Sequence, residues 1–145
     1  MTTRHVDYTD LVTVHVERKL PTTLSDTWEL LVSCPELWLG SPVRIEPDGR
    51  FAVDGCLESG HVHGRIEEVA LLERVVLTWW LDDWDDAALV EVAGVEAGPA
   101  STLVSVTVED VPDHAAVAVV SAHWHSALDR LAAAAADEPH HAQVA

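Results

Sequence analysis

Between positions 113 and about 136 the chain carries Val117, Val120, Trp124, Leu128, Leu131 and Ala135 at steps of three and four, the spacing that aligns side chains along one face of an α-helix. So long a stripe needs cover, and the preceding sequence supplies it. From Arg44 to Asp110 polar and apolar residues alternate with the two-residue period of strands. One long helix after a run of strands predicts an α+β fold, in which a curved antiparallel sheet of seven strands or a similar number wraps a C-terminal helix. A single helix does not fill the hollow of a strongly curved sheet, so a leftover cavity is expected beside it.

The order of elements follows from the same reading. Val12, Val14 and Val16 alternate with Thr13, His15 and Glu17 in a first strand over Leu11 to Lys19, which Pro21 stops. Thr22, Thr23 or Ser25 can cap a short helix through Val32 with Trp28, Leu31 and Val32 inward. Pro35 ends that helix and opens a turn carrying Leu37, Trp38 and Leu39. Val43–Glu46 and Arg50–Asp54 are expected as a hairpin around Pro47-Asp48-Gly49. Gly55 and Gly60 are read as bounding a loop. Strands are then predicted at His61–Val69, Val75–Leu81, Ala88–Ala93 and Ser101–Glu109. Pro112 and Asp113 open the terminal helix. The division is an N-terminal extension over 1–10, one domain over 11–136 and a disordered tail over 137–145.

Composition narrows the partners. Twenty-five Asp and Glu against 8 Lys and Arg give a formal charge of -17, a field that repels phosphate backbones and anionic head groups. Neither nucleic acid nor a membrane is therefore expected as a partner. The segment from Met1 to Asp10 has no apolar signal core and no apolar run is long enough to span a bilayer, so a cytoplasmic location is expected. Cys34 and Cys56 lack metal-ligand spacing and a neighbouring base, and both are read as reduced, small packing residues.

Thr27-Trp28-Glu29-Leu30-Leu31, Trp38-Leu39-Gly40, Asp48-Gly49-Arg50-Phe51, Gly64-Arg65-Ile66-Glu67-Glu68-Val69, Leu77-Thr78-Trp79, Ser101-Thr102-Leu103-Val104 and the run from His123 to Leu131 follow one another in a familiar order. From about Val12 to Ala136 the chain resembles the bacterial branch named after the activator of the 90-kilodalton heat-shock-protein ATPase. That branch lies within the START-related (SRPBCC) helix-grip superfamily. The resemblance implies a START-like domain with an apolar small-molecule cavity between helix and sheet, and no fixed catalytic residue. His123 stands where the family usually has glycine, and the stretch from Trp28 to Trp38 is shorter than its pattern, with Pro35 displaced.

Inward registers together with the resemblance nominate Trp28, Trp38, Arg44, Phe51, Arg65, Trp79, Ser121, Trp124 and His125 as ligand-binding residues. His61 and His63 share a strand face with Arg65, but two imidazoles are too few for a zinc or iron site, and no metal or cofactor is expected. His123 and His125 flank Trp124 about 200° apart on a helix; one of them is expected at the cavity rim as a hydrogen-bond donor or proton carrier. Trp80 and Trp84, beside an acidic turn without the glycine or closing glutamate of a calcium loop, suggest a homodimer patch or a lip of the cavity. No nucleophile–base pair, phosphate loop or dinucleotide fingerprint is present.

Three functions compete. The first is binding or sequestration of a hydrophobic, aromatic small molecule, for instance in self-resistance of an antibiotic producer. The second is a polyketide cyclase or dehydratase working in the same cavity. The third is a module that docks on a chaperone. The first is preferred, because an acidic surface advertises no docking face and no catalytic set is legible.

Overall fold

The computed structural model describes residues 12–57, 60–82, 84–112 and 114–144. The N-terminal extension, Asp113 as the helix start and the side chain of Cys56 lie outside the residues so described. Six antiparallel strands, β1 (Val12–Leu20), β2 (Arg50–Leu57), β3 (Gly60–Ala70), β4 (Arg74–Leu81), β5 (Ala88–Gly98) and β6 (Ser101–Val111), form one curved sheet in the order β1-β6-β5-β4-β3-β2. Three helices, α1 (Leu24–Ser33), α2 (Pro35–Trp38) and α3 (His114–Val144), complete the α+β helix-grip arrangement. Along β4 the alternation is complete: Val75, Leu77, Trp79 and Leu81 are buried, while the residues between them are half exposed.

Thr23 caps α1, its Oγ1 accepting from the Asp26 backbone N–H at 3.1 Å, a contact worth about 1 kcal/mol. Thr27, Trp28, Leu30 and Leu31 form the buried face of this helix. The helix stops at Ser33 because Pro35 begins α2, where a proline without an N–H costs nothing. The Trp38 indole donates to the Leu31 carbonyl at 2.9 Å, locking α2 back onto α1. Arg130 of α3 donates to the Leu37 carbonyl at 2.6 Å, and an Arg18–Asp129 ion pair ties α3 to β1.

Val43–Glu46 does not form the expected strand. Pro42 and Pro47 remove donors on either side of it, and the Pro47-Asp48 turn folds back on itself, with the Gly49 N–H donating to the Glu46 carbonyl at 3.0 Å. Asp48 and Gly49 instead extend the β2–β3 ladder, exchanging backbone hydrogen bonds of 2.8 and 2.7 Å with Ile66. Backbone pairing also differs at Gly55 and Gly60, which belong to β2 and β3.

On α3 the expected Val120, Trp124, Leu128, Leu131 and Ala135 lie in the core together with Ala127, while Val117, near the start of the helix, is only half-buried. Helical backbone continues beyond Ala136 to Val144, where a disordered tail was expected. Among the described residues no helix is long and apolar enough to cross a membrane.

Candidate binding site

α3 lies chiefly over β1, with lesser contact to β6, α1 and α2. The far half of the sheet, β2 to β4, is reached by long side chains instead. Trp79, 1% exposed, rises from β4 towards the helix. Its indole centroid is 5.7 Å from that of Trp124, 5.3 Å from the His123 ring and 5.7 Å, edge-on, from Trp84. His123 in turn stands edge-on to Trp124 at 5.2 Å. Perpendicular and tilted pairs at these distances suit the ring quadrupoles.

Beside this cluster the sheet is thinned on purpose. Gly64 pairs with both Phe51 and Trp79, so all three face the helix side. A Cβ at position 64 would sit 2.1 Å from Phe51 Cζ; only glycine lets that ring lie flat on the strand.

Two polar features lie within the aromatic cluster. Burial, and secondarily the charge of Arg130, push the His123 imidazole down to about 4, so it is neutral at physiological pH. Trp124 is fully buried, yet its Nε1–H has no acceptor among the described residues. A buried donor left without an acceptor costs about 1–3 kcal/mol.

The nominated residues divide by location. Phe51, Trp79 and Trp124 face the inner side of the sheet and helix, and Ser121 is half-buried on α3, one turn before Trp124. Trp28 and Trp38 are buried in the α1–α2 corner, the second with its N–H already used. Three others lie elsewhere. Arg44 is exposed in the loop before β2. Arg65 projects from the outer face, since Val62, Gly64 and Ile66 take the inner one, and it pairs with Asp48 at 3.1 Å and Glu67 at 3.5 Å. His125 is exposed, and His123 takes the inward place, because the helix is rolled towards the β4 side.

Trp80 and Trp84 do not form one patch. Trp84 is half-buried against Trp79 on the inner side, whereas Trp80 stacks on His63 on the outer side, 5.6 Å apart and 20° from parallel. The two tryptophans named for a homodimer patch thus lie on different faces of the sheet. His61 and His63 do share the outer face, with ring centroids 6.3 Å apart. His63 Nε2 lies 2.5 Å from Asp82 Oδ1, and this hydrogen bond, with the nearby His61, holds the Asp82 carboxyl below its ordinary range. Among the described residues no three His, Cys, Asp or Glu side chains converge as a metal site.

A curved sheet gripping a C-terminal helix, with aromatic side chains between them, defines a helix-grip protein of the SRPBCC class. Residues 21–136 match the family model described as activator of Hsp90 ATPase homolog 1-like protein, and the chain belongs to that family. No curated protein sequence matches it.

Solved structures share the fold at low identity. DynU16, a protein of the dynemicin biosynthetic locus, superposes with a TM-score of 0.69 at 18% identity over 83% of this chain. This chain spans only 45% of that protein's length. Norcoclaurine synthase from Thalictrum flavum, solved with dopamine and hydroxybenzaldehyde, gives 0.66 at 12% identity over 91% of each chain. The Aha1 dimer from Colwellia psychrerythraea gives 0.67 at 9% identity, over 83% of this chain and 93% of that one.

Proposed function

We propose that this chain binds an uncharged aromatic small molecule between the inner face of β2–β4 and α3, with a ligand oxygen accepting from Trp124 Nε1–H. The observation that carries the reading is that indole N–H, fully buried and without an acceptor among the described residues. Its surroundings of Trp79, Trp84 and a neutral His123 suit an aromatic guest. The norcoclaurine synthase structure, which holds two small aromatic compounds on the same fold, supports an aromatic guest.

Binding is favoured over cyclase or dehydratase turnover by the state of His123. A general base works best with a pKa near the operating pH; an imidazole held at about 4 is a weak base at neutrality. No comparable observation favours docking on a chaperone.

Thermal shift and tryptophan fluorescence with a panel of aromatic ketones and aldehydes test the proposal. Ligands bound only by the folded chain raise the melting temperature by mass action, and quenching should accompany the rise. Trp124→Phe keeps a ring and removes the donor, so affinity should fall about tenfold, the worth of one buried hydrogen bond. His15→Gln, on the exposed face of β1 at the opposite edge of the sheet, should leave affinity unchanged. A panel that moves neither signal, or equal losses from both substitutions, contradicts the reading.

A further inference from the structure

We propose that the outer face of β2–β4 carries a second, separate site, which takes a planar aromatic carboxylate. Outward-facing Arg50, His63, Arg65 and Trp80, with the inward-facing Phe51 and Gly64 between them on the same strands, line a surface hollow of about 320 Å³, a size suited to one or two fused rings.

Arg50 and Arg65 are directly opposed across the β2–β3 ladder, a placement that destabilises a sheet when both residues carry the same charge. Arg65 is relieved by Asp48 and Glu67. Arg50 has no ion-pair partner among the described residues, whereas Arg65 Nε, 3.5 Å from Glu67 Oε2, is closed off from solvent and only the outer end of that guanidinium faces the hollow. The hollow thus holds one unpaired guanidinium, Arg50, beside the paired one of Arg65, in a chain whose 8 basic residues face 25 acidic ones. A carboxylate between them removes the repulsion and accepts charge-assisted hydrogen bonds.

The wall beside the two arginines is flat. Trp80 stacks on His63, and the hydrogen bond between His63 Nε2 and Asp82 Oδ1 holds the imidazole by its edge. An aromatic ring whose acid group reaches Arg50 and Arg65 lies against this wall, with cation–π and stacking contacts in reach.

The ligand differs in charge from the guest proposed for the interior, and the two sites lie on opposite faces of one sheet, so one experiment reads both. Nitrogen–proton correlation spectra of the full chain, titrated with 2-naphthoate and separately with 2-naphthamide, report on each indole N–H. Naphthoate should shift the Trp80 indole and the Arg50 and Arg65 Nε–H signals saturably. The amide, which lacks the charge, should bind there about tenfold more weakly, and Arg50→Gln should weaken naphthoate by a similar factor. Shifts confined to Trp79 and Trp124 overturn the outer site while leaving the interior reading intact. Equal binding of acid and amide at Trp80, or indifference to Arg50→Gln, overturns it as well.

Discussion

His123 links burial to pH most directly. Its imidazole titrates at about 4 in the folded chain against 6.5 as the ordinary value, so between those limits the unfolded chain binds the proton and the folded chain does not. Stability from this residue is therefore complete above pH 6.5 and is lost as pH falls towards 4, by up to about 3 kcal/mol. Chemical denaturation at pH 7 and pH 4.5 should show His123→Gln losing less stability on acidification than the parent chain. Equal losses would mean that the ring is solvated. The sequence identified His123 and His125 as a pair flanking Trp124 but did not decide between them. Each stands one residue from the centre of the stripe, and which one turns inward depends on the roll of the helix against β4. Arg65 misled for another reason: it belongs to a family-like motif, yet strand alternation from Val62 to Ile66 sends it outward.

Elements were more legible than single side chains wherever a stripe was long. Val120, Trp124, Leu128 and Leu131 recur with the helical period over several turns, and all of them are buried. Alternation likewise put Trp79 inside and Trp80 outside. Short segments between prolines carried less information, and Val43–Glu46 proved irregular because its flanks cannot donate to a ladder. Since α3 packs chiefly on β1 and also on β6, where Val14, Val16, Val104 and Val106 are buried, a chain ending at Pro112 should fail to fold. Such a truncation should show no cooperative melting by circular dichroism. A sharp transition would mean that the sheet is stable without its helix.

Taken as a whole, the molecule sets an acidic exterior against an aromatic interior. With a formal charge of -17, anionic polymers are repelled at long range. Fold and family could be read from the order of the motifs, because those residues build the grip itself. The guest could not, since it depends on gaps between side chains that no periodicity encodes. Native mass spectrometry of the full chain, purified gently and then exposed to a panel of aromatic ketones and aldehydes, puts the interior site to the question. The expected spectrum contains a one-to-one adduct of a low-mass aromatic compound, weakened by Trp124→Phe and unaffected by His15→Gln. A spectrum of bare chain alone across the panel, or adducts indifferent to Trp124→Phe, would contradict the proposed binding function.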